Sequence, residues 1–295
     1  METWKEREGY KVKKLHIMPN EKFTELYIEF INNHFDASEH LFLIIGKGIN
    51  AEITARKNVK NIYLKDIKGL INLIKELNKS KKVFLHGLFM NKIVMLLFLQ
   101  PWTIKKCNWI IWGGDLYKYS SRNESVKNFF NELLRKSVIK NFGGIITLVK
   151  GDYQLAKKWY SVKGKYYRGM YINPVKIEFL NKVLNEKDLS NQEINIQIGN
   201  SANPSNRHIE ALNLLSKFRN GNIKIYVPLS YGYNDNEYIK KVIDEGKAIF
   251  KDKFIPMVDF LNPEEYAKYL ASIDIAIFGH NRQQALGNIY ALLYL

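Results

Sequence analysis

Cysteine is nearly missing from this sequence: Cys107 is the only one in 295 residues, so no intrachain disulfide can form and a reducing, cytoplasmic setting is expected. Long hydrophobic runs are missing too. The most apolar stretch, Leu88 to Trp102, is broken by Asn91, Lys92, Gln100 and Pro101, which leaves too few consecutive apolar residues to span a bilayer. Met1 to Lys14 is charged and lacks the apolar centre of a signal peptide. No P-loop, nucleophile elbow or G-x-G-x-x-G occurs, which argues against kinase, hydrolase and dehydrogenase chemistry. No His/Cys cluster has metal-ligand spacing, and the nearest acidic pair, in Asp235-Asn236-Glu237, reads as a helix start. The expected chemistry is therefore metal-independent and needs no cofactor.

Acidic residues are also in short supply. Lysine and arginine number 45 against 29 acids, a formal charge of +16, which favours anionic partners: nucleic acid, acidic lipid headgroups or phosphorylated substrates. The lysines are scattered through nearly every helix rather than gathered in a block, so a solvated basic surface is the competing explanation. Nucleic acid is not the expected partner, because no recognised binding motif or RNP-type aromatic strand pair is present. The 46% hydrophobic and 13% aromatic content fills ordinary cores, and the length suits two domains.

Short β-type runs alternate with helical periodicity. Strands are expected at Leu15 to Met18, Leu41 to Ile45, Ile62 to Leu64, Val83 to Leu85, Trp109 to Trp112 and Ile145 to Val149, with helices at Phe23 to Phe35, Asp66 to Leu77, Asn91 to Leu99 and Glu124 to Lys140. After the polar stretch Asn181 to Glu193 the alternation restarts. It gives strands at Ile194 to Ile198, Ile223 to Val227, Phe254 to Val258 and Ile273 to Phe278, and helices at Ser205 to Phe218, Asn236 to Phe250 and Pro263 to Leu270. The expected fold class is α/β, two parallel sheets each wrapped by helices, with domains at 1–180 and 190–295. The sequence stops inside an apolar helical pattern at Leu295, so the second domain is expected to be incomplete.

In such sheets ligands lie beyond the carboxyl ends of the strands, so the residues just after each strand matter most. His86-Gly87 follows one strand and Gly113-Gly114-Asp115-Leu116-Tyr117 another. The glycines permit close backbone approach, while Asp115 and His86 are candidates for a general base or for hydrogen bonds to sugar hydroxyls. A helix N-cap for Asp115 and a half-buried structural histidine for His86 are the alternatives. In the second half, Gly199-Asn200-Ser201 follows a strand and Pro204-Ser205-Asn206 opens a helix, leaving backbone N–H groups free to hold phosphate. Arg282-Gln283-Gln284 precedes another helix that carries Gly287 in its first turn. Arginine there would offset the charge of a departing diphosphate.

The segment Asn108 to Tyr117, NWIIWGGDLY, resembles the W-G-x-D-L-Y segment of the TDP-N-acetylfucosamine:lipid II N-acetylfucosaminyltransferases. Ile198-Gly199-Asn200-Ser201 with Ser205-Asn206-Arg207-His208-Ile209, Val227-Pro228-Leu229-Ser230-Tyr231 with Asn236-Glu237-Tyr238-Ile239, Arg282-Gln283-Gln284 with Gly287, and His86-Gly87 with Phe89 resemble further segments of that family, in order along the chain. The resemblance implies a GT-B-like fold, with two Rossmann-like domains facing each other across a cleft. It implies donor contacts from Gly199, Asn200, Ser201, Ser205, Asn206, Tyr231, Arg282, Gln283, Gln284 and Gly287. Acceptor contacts would come from His86, Gly113, Gly114, Asp115 and Tyr117, and catalytic roles would fall to Asp115, His86 and Arg282.

The implied partners are a nucleotide-sugar donor, a polyprenyl-diphosphate-linked glycan acceptor of surface-polysaccharide synthesis and an anionic membrane surface, with peripheral attachment to the inner membrane through basic Lys92, Lys105 and Lys106 beside the apolar groups from Met90 to Trp102. Retention of anomeric configuration is also implied. Many GT-B enzymes chelate the two ribose hydroxyls with a glutamate about eight residues beyond the position that Gln284 would hold. Here Leu292 falls there, which favours a deoxyribose donor, a dTDP-sugar, over UDP- or GDP-sugars. A nucleotide-sugar-binding protein without turnover is the rival reading.

Overall fold

The computed structural model describes residues 14–21, 23–46, 50–120, 125–171, 175, 177–185, 193–232 and 235–295. The charged N-terminus 1–13, the expected helix start at Glu124 and residues 186–192 of the expected linker lie outside the described residues. The chain divides into two compact units, Met1–Ile172 and Asn173–Leu295.

Unit 1 holds seven strands: β1 (Lys14–Pro19), β2 (His40–Ile45), β3 (Val59–Ile62), β4 (Lys82–His86), β5 (Cys107–Ile110), β6 (Gly144–Thr147) and β7 (Lys165–Arg168). They form one sheet in the order β3-β2-β1-β4-β5-β6-β7, and every pairing is parallel. Burial on both faces is what a parallel sheet requires, and β2, HLFLII, is buried at all six positions. Alternate side chains supply the two cores: Leu15, Ile17, Leu43, Leu85 and Trp109 on one face, Met18, Phe42 and Ile44 with helix residue Ile28 on the other. The helices are α1 (Thr24–His34), α2 (Ala51–Thr54), α3 (Ile67–Lys79), α4 (Asn91–Leu99), α5 (Gly114–Tyr117), α6 (Val126–Ile139) and α7 (Lys150–Tyr160). Asp66 begins α3 as an N-cap, accepting the Lys68 N–H at 3.2 Å.

Unit 2 has β8 (Ile194–Ile198), β9 (Ile223–Pro228), β10 (Phe254–Met257) and β11 (Ile275–Ile277) in the parallel order β10-β9-β8-β11. Around them lie α8 (Ile177–Asn185), α9 (His208–Leu215), α10 (Asn236–Phe250), α11 (Pro263–Ala271) and α12 (Leu286–Tyr294). In both sheets the strand order reverses once, between β1 and β4 and between β8 and β11. Crevices open at such reversals, beyond the strand ends, so these two points are the candidate ligand sites.

Some elements differ from expectation. β5 ends two residues before the apolar run does, because the Trp112 N–H turns to the Asp115 carboxylate at 3.0 Å and leaves the ladder. The single helix expected over Ser205 to Phe218 is broken at Arg207, whose φ of 55° interrupts it between a 3₁₀ turn at Pro204–Asn206 and α9. The segment Lys150 to Arg168, to which no element is assigned from sequence, forms α7 and the edge strand β7. In the second unit, Asn173–Leu295, α8 is amphipathic and buries Leu180 and Val183 against Ala267, Leu270 and Ala271. Its Lys182 also pairs with Glu264 at 2.8 Å.

Candidate functional site

At the β8/β11 reversal the residues picked from sequence meet around one side chain, Gln284. Its Oε1 accepts from Ser205 Oγ at 2.8 Å and Arg282 Nε at 3.0 Å. Its Nε2 donates to Asn200 Oδ1 at 3.0 Å and Asn206 Oδ1 at 3.3 Å. Arg282 Nη2 donates to Ser205 Oγ at 3.1 Å, Asn200 Nδ2 to Tyr231 Oη at 2.9 Å, and Asn206 Nδ2 to the Ser201 carbonyl at 2.8 Å. The network carries one cation and no carboxylate, a balance suited to an anionic ligand. Such a network fixes the loop after β8 against the loop after β11. Gly199 sits between them with φ of 68° and donates its N–H to the Ile277 carbonyl at 2.8 Å. A Cβ there would lie 2.6 Å from His208 Nε2, so no other residue fits. Gln283 is half-buried beside the network, and Gly287 takes the second position of α12, whose first N–H groups have no intrahelical acceptor.

The unit 1 candidates are arranged differently, and Asp115 and His86 are both buried. Asp115 does not point a carboxylate into open space: it is wholly buried. Oδ2 accepts the Leu88 N–H at 2.8 Å and the Trp109 indole N–H at 2.6 Å, while Oδ1 takes the Trp112 N–H. Arg135, also buried, donates to the Leu88 carbonyl at 2.5 Å and the Asp115 carbonyl at 2.9 Å. Burial pushes the Asp115 carboxyl above its ordinary range, opposed by the Leu88 N–H, the Arg135 charge and the two tryptophan donors. With three donors on its carboxylate, Asp115 clamps the loops after β4 and β5 together.

His86 is fully buried as well. Its Nε2 meets His16 Nδ1 at 3.0 Å and its Nδ1 meets Tyr171 Oη. Burial holds its pKa down at about 3, and both ring nitrogens have partners. Tyr117 donates to Asp152 at 2.7 Å and so anchors α5 to α7. Gly113, with φ of 88°, lets the chain turn sharply into α5, and Gly114 is exposed beside the Phe89 ring.

What faces the β1/β4 reversal is aromatic. Trp112 lies edge-on to Phe89, Phe23 and Tyr171, at centroid distances of 5.9, 6.4 and 5.4 Å. Sequence reading passed over His16, His40, Arg135 and Tyr171. One signal was available: a histidine inside an apolar strand, as in Leu15-His16-Ile17, must find buried partners.

Among the described residues, no group of three His, Cys, Asp or Glu side chains could hold a metal ion, and no helix is long and apolar enough to cross a membrane.

Solved structures share this architecture at low identity. Sucrose-phosphate synthase from Thermosynechococcus elongatus matches with a TM-score of 0.59 at 10% identity, covering 94% of this chain and 78% of that one. A glycosyltransferase from Rickettsia africae matches with a TM-score of 0.59 at 13% identity, covering 90% and 72%. An alpha,alpha-trehalose-phosphate synthase (UDP-forming) from Burkholderia vietnamiensis gives 0.56 at 6% identity, covering 89% and 77%. The fold class is thus α/β of the GT-B type. Residues 27–295 match the 4-alpha-L-fucosyltransferase glycosyl transferase group 56 family; the chain belongs to that family and is a glycosyltransferase, taking a nucleotide-sugar donor and a glycan acceptor.

Proposed function

We propose that the enzyme moves an acetamido-deoxyhexose from a dTDP-sugar to a polyprenyl-diphosphate-linked glycan, with the donor in unit 2 and the acceptor in unit 1. The observation that carries the donor assignment is the Gln284-centred network at the β8/β11 reversal, with Arg282 as its cation. In this reading the donor diphosphate lies against Gly199 to Ser201 and the start of α12. Arg282 and the dipole of that helix offset the charge on the departing phosphate. The dTDP preference rests on Leu292, which packs with the apolar cluster around Ala291 and Leu270 where a ribose-chelating carboxylate would otherwise stand.

Membrane attachment is supported by α4, which is apolar on both faces. Ile93, Val94, Leu96 and Leu97 are buried, while Met95, Phe98, Leu99 and the following Trp102 are exposed. α6 packs beside α4 and exposes Phe129, Phe130 and Leu133. Lys105 is exposed near this face, whereas Lys92 and Lys106 are drawn to the carbonyls of Leu64, Asn78 and Ser80. Apolar insertion therefore carries more of the attachment than the lysines do.

The test is calorimetric titration with dTDP, UDP and GDP of the wild type and Arg282→Ala. Tightest binding of dTDP, weakened in the variant, is the expected result; tighter binding of UDP would sink the donor assignment.

A further inference from the structure

Three histidines on neighbouring strands β2, β1 and β4 form one hydrogen-bonded line through unit 1. Lys14 Nζ lies 3.3 Å from His40 Nε2, His40 Nδ1 lies 2.9 Å from His16 Nε2, and His16 Nδ1 lies 3.0 Å from His86 Nε2. His86 Nδ1 then meets Tyr171 Oη. Every ring nitrogen of the three is used. His16 stacks on Phe42 and Phe84, at 4.7 and 4.9 Å, which holds its plane.

This line has a direction. A neutral imidazole offers one donor and one acceptor, whereas an ammonium can only donate. Lys14, held by Glu39 at 3.0 Å, obliges His40 Nε2 to accept. The hydrogen of His40 must then be on Nδ1 and point to His16, that of His16 on Nδ1 and point to His86, and that of His86 on Nδ1 and point to Tyr171. The phenol oxygen accepts, so its own hydrogen is turned outward. Burial keeps the histidines neutral, with His16 well below its ordinary range, His40 at about 4 and His86 at about 3, and it raises the Tyr171 phenol so that its hydrogen is retained.

Tyr171 is partly exposed, with Phe23, Tyr27 and Trp112 around it at centroid distances of 6.0, 5.5 and 5.4 Å. No acceptor among the described residues takes its hydrogen. Aromatic walls with one placed polar group are what a sugar ring needs: apolar area for its face and a donor to fix its orientation. We propose that Tyr171 is the hydrogen-bond donor that orients a sugar oxygen of the glycan acceptor, its direction set by Lys14 through His40, His16 and His86. This rests on the placement of the acceptor in unit 1. Tyr171 is thereby a binding residue, and Lys14, His40 and His16 are positioning residues.

Long-range 15N–1H correlation spectra of the histidine rings at neutral pH read the direction without any ligand. The Nδ1–H tautomer is expected for His16, His40 and His86, and an Nε2–H tautomer at any of the three overturns the relay. In Lys14→Met the direction is no longer pinned, and Nε2–H signals are expected to appear. The binding role is read by titrating a short-chain polyprenyl-diphosphate disaccharide. Tyr171→Phe should bind it on the order of tenfold more weakly, the loss of one hydrogen bond, with dTDP binding unchanged. Equal binding by the variant and the wild type overturns the role of Tyr171. No binding by the wild type counts against a saccharide acceptor in unit 1, and so against the proposed function, while the tautomer spectra still decide the relay.

Discussion

Lowering the pH from 7.5 to 5.0 should destabilise unit 1 more than unit 2, where the histidines whose pKa burial lowers are His208 and His280. His16, His40 and His86 are buried and held neutral, so in this range the unfolded chain binds protons that the folded chain does not. Stability therefore rises with pH across the window and is lost as pH falls below the ordinary histidine value of 6.5. Each histidine that stays neutral at pH 5 costs about 1.4 kcal/mol per unit of the roughly 1.5-unit gap, or about 2 kcal/mol. Three of them approach about 6 kcal/mol, comparable to the whole stability of many domains. Burial also pushes the Asp115 and Asp152 carboxyls up, a shift that opposes the histidine effect as pH falls. The readout is specific, because all five tryptophans, at positions 4, 102, 109, 112 and 159, precede the unit boundary. Urea unfolding followed by tryptophan emission at pH 7.5, 6.0 and 5.0 gives the slope. His16→Gln should shrink the loss between the extremes by about 2 kcal/mol. An unfolding midpoint that does not move between pH 7.5 and 5.0, or a slope identical in the variant, would refute the argument.

Arg282→Ala should weaken dTDP binding by roughly 10- to 100-fold, the range for a hydrogen bond to a charged group, without lowering the melting temperature, since Arg282 is only half-buried; calorimetry and thermal melting check both. Gly199→Ala places a Cβ against His208 and Asn206 at a φ of 68° and should cost about 1–3 kcal/mol in unfolding experiments, with donor binding lost alongside. Asp115→Ala strands three buried donors and should destabilise unit 1 by about 3 kcal/mol or more. A variant with intact stability and no turnover would instead make Asp115 a chemical participant. Phe98→Ser with Trp102→Ser should reduce co-sedimentation with vesicles, and unchanged sedimentation would remove the α4 face from membrane contact.

The alternation of strands and helices was legible in the sequence because each element declares itself through local periodicity. β8, α4 and α10 fall where the apolar pattern put them. α8 was misread because its polar surface residues outnumber the few that it buries, and only α11, far along the chain, reveals which face those few serve. The residues that follow β8 and β11 were also legible, since turns after strands carry glycine and small polar groups in recognisable order. Their meeting around Gln284 depends on β8 and β11 becoming neighbours, which the sheet order decides.

In unit 1 the division is sharper. The sequence alone determined that Asp115 and His86 lie at strand ends, but not whether they face solvent or the interior. That depends on Leu88, Trp109 and Arg135 closing over one and His16 and Tyr171 over the other. Apart from Trp109, which is six residues from Asp115, these partners lie 20 to 85 residues apart and leave no local trace in composition or periodicity. The tertiary fold, by bringing β2, β1 and β4 side by side, decides that three separate histidines become one directed line.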